Sequence, residues 1–240
     1  MSIKTVKVPE AMEPLFEKAE KFVSEIFAIQ KNHPEKGMIL IGGKRYILVN
    51  AESMSVSFFE HFQKMYPTLD EELAQRSAAT MLYDLAQTVG RTDARRFHRI
   101  MNVTDPVAKL SAGPVHFAFS GWAFVDIHSE SNPVPDKSFY LVYDHPNSFE
   151  AEAWISRRKE LMTTDKETEL HTKTPVCYMN AGYSSGWCVE SFGIELTSRE
   201  LFCRATGDPY CRFIMAHPEK IDEFIIRYKK NHPQLFKKHG

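Results

Sequence analysis

Cys177, Glu200, Cys203 and Cys211 are the residues of this sequence best suited to metal chemistry. Three thiolates and one carboxylate make a tetrahedral set that suits zinc. Four protein ligands leave no position for water, so such a site would be structural. Glu200 and Cys203 lie three apart, and Cys203 and Cys211 flank Gly207-Asp208-Pro209, a turn signal. The flanking residues 199–204 and 210–215 read as short strands. A hairpin closing at Gly207-Asp208 brings the two cysteines together, and Cys177 must arrive from an upstream segment. Ordinary buried thiols account for the same residues, because four cysteines in this chain are unremarkable usage and C-x7-C is not a zinc-finger spacing. Spacing alone leaves both readings open.

Two further stretches, residues 116–124 and 139–145, concentrate Phe, Tyr, Trp and His. They read either as a well-packed core or as the wall of a small-molecule pocket, which needs aromatic surface with a few polar groups. Catalytic patterns are weak. Asp144 and His145 are strand neighbours and face opposite sides, while Asp126 and His128 share a face with no nucleophile nearby in sequence. There is no dinucleotide fingerprint, nucleophile elbow or open metal site, and Gly42-Gly43-Lys44 lacks the rest of a phosphate loop.

The elements that must position these residues follow from periodicity. An apolar stripe of Met12, Leu15, Phe16, Ala19, Phe22, Val23, Ile26 and Phe27 predicts a helix over 10–31, ended by His33-Pro34. The stripe serves either the core or half of a dimer contact. Residues 37–50 read as a hairpin turning at Gly42-Gly43. Three helices follow, over 53–65, over 68–90 with Thr68 and Glu71 as a capping box, and over 92–101. Residues 112–128 read as a long strand bulged at Gly121, and 138–145 as its partner. Ser148 caps a helix with Glu150 and Glu152 in its first turn. Residues 163–174 read as a charged loop. A helix from Pro175 to Gly193 carries Cys177, Tyr183 and Trp187, and its Gly182 and Gly186 mark close packing against a neighbour. The hairpin comes next, then an amphipathic helix over 218–230 and a basic tail. This order implies an α+β fold, one antiparallel sheet with helices packed over it.

At 240 residues and 43% hydrophobic, the chain is one large domain or one domain with an accessory part. A net charge of -1 with no Lys/Arg block and no helix-turn-helix pattern speaks against direct nucleic-acid binding. Residues 1–9 are polar and form no signal peptide, and no apolar run approaches the roughly 20 residues of a membrane span. Thiols in a chain without an export signal are reduced or bound to metal, which points to the cytoplasm.

The pattern Cys177…Gly182-Tyr183-x-Ser185-Gly186…Glu200-x-x-Cys203-x-Ala205-x-Gly207-Asp208-x-x-Cys211-Arg212 resembles the 4-vinyl-reductase domain. More closely, it resembles the aromatic-sensing amino-terminal domains of XylR/DmpR/MopR-type transcription activators. The resemblance runs from about Gly37 to Met215 and includes Ala112-Gly113-Pro114…Gly121 and Ser148-Phe149-Glu150-Ala151. It implies a structural Zn2+ held by Cys177, Glu200, Cys203 and Cys211, with Cys188 left as a core thiol. It also implies a closed pocket for phenols or alkylbenzenes. In the phenol sensors a His and a Trp hold the phenol hydroxyl. Ungapped matching places that His on Phe117, beside His116, and that Trp on His145, so the pair is not reproduced in place. His145 could take the polar role, and Tyr143 and Trp187 carry over as further pocket positions. The ligand implied is a larger or less polar aromatic.

The expected organisation is a helical segment over 1–36 that can contribute a dimer contact, a sensor domain with its zinc hairpin over 37–216, and a helix with a basic tail over 217–240. Relatives dimerise through the amino-terminal region, so a homodimer is expected. The family's ATPase and DNA-binding parts have no counterpart in the sequence. The chain then reads as a sensor that signals through a downstream partner or as a domain cut from a longer activator. The alternatives are an adaptor that binds a lipid or a partner protein, and a subunit of a 4-vinyl-reductase-related enzyme.

Overall fold

The first apolar stripe forms a helix shorter than its pattern suggests. The computed structural model describes residues 3–161 and 171–236. In it α1 (Glu13–Ala28) stops well before His33-Pro34, because the residues that follow are drawn into β2 (Gln30–His33), antiparallel to β3 (Met38–Ile41). β3 turns at Gly42-Gly43, as expected, into β4 (Lys44–Tyr46), and the three strands form a small sheet of their own. On α1, Phe16, Ala19 and Val23 are buried, and Leu15, Phe22, Ile26 and Phe27, with Met12 just before the helix, pack against the same core. The stripe therefore faces the chain's own core, with Met12, Leu15, Phe22, Ile26 and Phe27 only partly buried.

The three helices expected next are two. α2 (Val56–Met65) is the first. The second and third are one continuous helix, α3 (Glu71–Met101). Its cap is Asp70 rather than Thr68, with the Leu73 N–H donating to the Asp70 carboxylate at 2.7 Å. Gly90, read from sequence as a stop, lies inside the helix for a steric reason: a Cβ there would stand 2.2 Å from the carbonyl oxygen of Tyr183.

The largest correction concerns residues 112–128. They form no long strand. Residues 112–119 belong to α4 (Pro106–Phe119), and the strand that follows is only β5 (Val125–Ile127). Asp105 caps α4 by accepting from the Ala108 N–H at 2.8 Å, and Pro106 takes the first helical position. Every residue from Leu110 to Phe117 is buried. A helix buried on all sides has no polar face, and so no helical period to read.

The main sheet has the order β1-β5-β6-β8-β7, with β1 (Val6–Lys7), β6 (Tyr140–His145), β7 (Thr197–Phe202) and β8 (Cys211–Ala216). It corrects the expected single antiparallel sheet in two ways. β1 pairs with β5 in parallel, and β2, β3 and β4 lie outside it. The α+β arrangement with helices over a sheet holds. Side chains alternate across the sheet. Leu141, Tyr143, Phe213 and Met215 join the large core with residues of α3, α4 and α6 (Tyr178–Phe192). Val142, Ile214 and Ala216 pack with α7 (Ile221–Asn231) on the other face. α5 (Phe149–Leu161) begins after Ser148, whose hydroxyl accepts from the Ala151 N–H at 3.3 Å. Most of the loop expected at 163–174, and residues 237–240 of the tail, lie outside the described residues. Among the described residues no helix is long and apolar enough to cross a membrane.

α6 is capped by Cys177 rather than starting at Pro175, and it ends at Gly193. Gly182 and Gly186 do mark close packing, and the neighbour is α3. A Cβ at 182 would stand 2.2 Å from the Tyr83 carbonyl oxygen, and one at 186 would stand 2.1 Å from that of Gln87. Gly186→Ala must therefore force two helix backbones apart, at a cost of about 1–3 kcal/mol or more. Urea unfolding measures it, and an alanine variant as stable as wild type would show that the helices separate freely.

Candidate metal centre and enclosed pocket

The four sequence-predicted metal ligands meet. Their ligand atoms all lie within 4.8 Å of one another. The sulfur separations are 3.6 Å for Cys177–Cys211 and 3.9 Å for both Cys177–Cys203 and Cys203–Cys211. Three thiolates bound tetrahedrally at the usual zinc–sulfur length stand about 3.8 Å apart. Glu200 Oε2 accepts from the Cys177 N–H at 2.8 Å, while its Oε1 is buried without a hydrogen-bond partner. The set therefore has the spacing, the donors and one orphaned oxygen that a metal ion would satisfy.

A local distortion brings the ligands to one side. In a regular strand, residues three apart point to opposite faces. Here Glu200 pairs with Phe213 and Phe202 with Arg212, so Leu201 is an extra residue, a β-bulge. The bulge re-phases β7 and turns Cys203 toward the face of Glu200, Phe213 and Cys211. Cys177 reaches the same point as the cap of α6. Around the ligands, Ser148 Oγ lies 3.1 Å from Cys177 Sγ and receives Asn180 Nδ2 at 2.6 Å, and the Arg204 N–H donates to Cys211 Sγ at 3.4 Å. The buried Glu150 carboxylate accepts from the Met179 and Asn180 N–H groups at 2.9 and 2.8 Å, and burial pushes it up to about 8.

Electrostatics make the cluster unstable as four free anions. Burial pushes Cys203 up to about 12 and Cys177 and Glu200 well above their usual values. Cys211 is instead pulled down to about 7, by its contacts with the Cys177 and Cys203 sulfurs. A dication at the centre would offset the charge that burial disfavours.

Beyond the cluster, α4, α6 and the sheet enclose a cavity of about 30 Å3. Phe117, Tyr143 and Trp187 line it, together with Leu110, Tyr183 and Cys188. Trp187 is held by its indole N–H, which donates to the Lys109 carbonyl at 3.1 Å. Cys188, read as a core thiol, is buried in this wall. The other two anticipated residues are not in the wall. His116 lies on α4, not on a strand, and its Nδ1 is 2.7 Å from the Tyr183 hydroxyl. His145 stands behind Phe117 and Tyr143, with ring centroids at 5.4 and 5.2 Å. It is fully buried with both ring nitrogens unpartnered, and burial pushes it down to about 3.

The Asp/His pairs are engaged elsewhere. Asp144 and His145 face opposite sides, as expected. Asp144 binds the Arg212 guanidinium at 2.6 Å through both oxygens and lies 3.0 Å from His128 Nε2, while Asp126 takes Lys7 at 2.7 Å. Sequence reasoning missed Ser148 as a neighbour of the cluster, and it missed Tyr183 and Asp93, whose hydroxyl and carboxylate are 3.2 Å apart. Ser148 carried a signal only as a helix cap. Asp93 carried none, being one charge on an amphipathic helix.

No protein-family model matches the chain. Over 139 residues it is 28% identical to the phenol regulator MopR of Acinetobacter guillouiae, a match covering 57% of this chain and 23% of the regulator. The chain thus spans about a quarter of the length of that curated relative. The crystal structure of the phenol-responsive sensory domain of the transcription activator PoxR with phenol superposes at a TM-score of 0.66. The superposition covers 89% of this chain and 95% of that one at 17% identity, and the two share a fold. A trafficking protein particle complex subunit 3 from Naegleria fowleri, covalently bound to palmitic acid, overlaps 70% of this chain and 94% of its own. At 9% identity and a TM-score of 0.43, that likeness carries no argument.

The contact from Ser148 to Cys177 Sγ predicts that Ser148→Ala weakens metal binding by about 10–100-fold without removing a ligand. Chelator competition measures this directly, and unchanged affinity would reduce Ser148 to a helix cap.

Proposed function

We propose that this chain is the ligand-sensing domain of a regulatory protein, taking a small aromatic or hydrophobic compound into its enclosed cavity and braced by a structural zinc ion. The observation that carries the reading is the cavity, closed and apolar, with walls that include Phe117, Tyr143 and Trp187. The fold shared with a phenol-responsive sensory domain and the partial similarity to a phenol regulator support it. The same similarity favours a regulatory role over a catalytic one. Thiolate donors at these separations favour zinc over harder cations. The ion would tie the start of α6 to the β7–β8 hairpin and so hold Trp187 rigidly in the wall. Cys203→Ala is expected to lose the metal and much of the folding free energy, since the two are one quantity at such a site. A folded, metal-loaded variant would refute that role.

The ligand must make part of its own room. A cavity of about 150 Å3 is known to take benzene, and this one has about 30 Å3. Displacement of Phe117 would open the way to His145, the buried group without partners. In this reading His145 meets a polar substituent while Tyr143, Trp187 and the region of His116 and Phe117 embrace the ring. A homodimer, a cytoplasmic setting and a downstream protein partner complete the proposal. The exposed apolar side chains Ile29, Ile47, Leu48 and Val49 offer surface for a second copy.

Native mass spectrometry is expected to give one zinc per chain, a dimer and a small adduct lost on denaturation. Absence of both metal and adduct, together with no binding of phenol or toluene, would overturn the reading. His145→Leu is expected to stabilise the ligand-free protein by about 1–3 kcal/mol at neutral pH, because it removes an unsatisfied buried group. The gain grows as pH falls below 6.5, where the unfolded histidine takes a proton that the folded one refuses. The same variant should bind phenol more weakly while keeping its affinity for toluene. Phenol affinity within about twofold of wild type, or about 0.4 kcal/mol, would remove His145 from the site.

A further inference from the structure

One stripe of α4 supplies Leu110, Gly113, Pro114 and Phe117 to the cavity wall, at the i, i+3, i+4, i+7 spacing of a single helical face. Gly113 is the position in that stripe without a side chain. Its backbone gives no reason for a glycine, because it lies inside the helix and has no positive φ. Alanine is the better helix former there. The reason is space. A Cβ at 113 would stand 2.8 Å from Trp187 Cδ1 and Nε1 and 2.9 Å from Trp187 Cγ. The pyrrole edge of the indole, reaching over from α6, therefore rests on the bare backbone of α4.

Trp187 is held in that seat from behind. Its N–H donates to the Lys109 carbonyl, one turn before Gly113 on the same helix. That carbonyl is also 3.2 Å from His98 Nε2, and the His98 ring stands edge-on to the indole at 5.8 Å. The rings of Phe97, His116 and Tyr183 border the indole at 6.0, 5.8 and 6.1 Å, and all three are buried. In an interior packed this closely a displaced side chain moves toward free volume, and the free volume beside the indole is the cavity. A side chain at 113 therefore pushes the indole into the space that a ligand needs. We propose that Gly113 sets the size limit of the cavity by seating Trp187 against the α4 backbone, so that the site discriminates among aromatic compounds by the bulk of their ring substituent. The inference rests on the aromatic-sensor reading and adds to it the residue that fixes the ligand's bulk. Gly113 acts as a positioning residue through Trp187. Phe117 stands one turn further along the stripe, and its displacement adds room without moving the indole.

Benzene, toluene and ethylbenzene test this, because they grow by one carbon at a time and carry no polar atom for His145 to meet. The readout is the ratio of ethylbenzene affinity to benzene affinity by calorimetric titration. Any loss of folded protein is common to the three ligands and cancels in that ratio. Gly113→Ala is expected to lower the ratio about tenfold, with toluene between the two, since a pocket short by one methylene discriminates at least that strongly. Trp187→Phe trims the indole and should raise the ratio about threefold. Adding Gly113→Ala to Trp187→Phe should return it to within about twofold of wild type, because the methyl group takes the space that the indole left. The double variant should also fold where Gly113→Ala alone does not. A ratio that Gly113→Ala leaves unchanged in either background overturns the inference and leaves the sensor reading standing. A double variant that does not fold shows that the methyl group meets something other than the indole, and it overturns the inference too. Failure of wild type to bind any of the three, or phenol, overturns the sensor reading itself.

Discussion

The architecture depends on how closely α3 and α6 approach. Gly90, Gly182 and Gly186 face the opposite helix's carbonyl oxygens at separations that no side chain allows, between 2.1 and 2.2 Å from where a Cβ would sit. This contact fixes α6 in depth and in rotation. Once α6 is fixed, Tyr183, Trp187 and Cys188 must enter the cavity wall, and Cys177 must emerge at the end of the sheet beside β7 and β8. The pocket and the metal cluster are thus two ends of one helix. A disturbance at either end has a short mechanical route to the other.

Several groups around this helix are not satisfied by the protein alone. Both nitrogens of His145 and one oxygen of Glu200 are buried without partners. Buried polar atoms are nearly always paired, because leaving one bare costs about 1–3 kcal/mol. Those of His145 and Glu200 adjoin the cavity and the thiol cluster, where the proposed ligand and metal ion would satisfy them. By contrast, the network of Asp144, Arg212, His128 and Tyr228 on the α7 face is closed on itself, with every distance between 2.6 and 3.2 Å. It joins β6, β8, α7 and His128, the residue after β5.

What the sequence determined by itself was whatever depends on residue type and short-range geometry. The thiols and carboxylate of the cluster, the turn at Gly207-Asp208, the hairpin at Gly42-Gly43, the Ser148 cap and the amphipathic α7 are all local signals, and each forms where it was read. Phe117, Tyr143 and Trp187 were recognisable as pocket candidates because aromatic side chains gathered in one stretch must pack together.

Only the tertiary structure decided the rest, for a common reason: packing overrides or erases the local signal. Residues 106–119 are helical because Asp105 and Pro106 start them so, and their complete burial removes the period that would reveal it. Gly90 continues a helix because α6 presses against it. β2 forms because β3 is there to pair with, which cuts α1 short. The bulge at Leu201 that aligns Glu200 with Cys203 exists only in register with β8. The polar contacts that link Arg96, Tyr46, His116, Tyr183 and Asp93 pass through four separate elements, α3, β4, α4 and α6. No spacing within the sequence could announce them, because these side chains come from stretches far apart along the chain and meet only when the four elements pack.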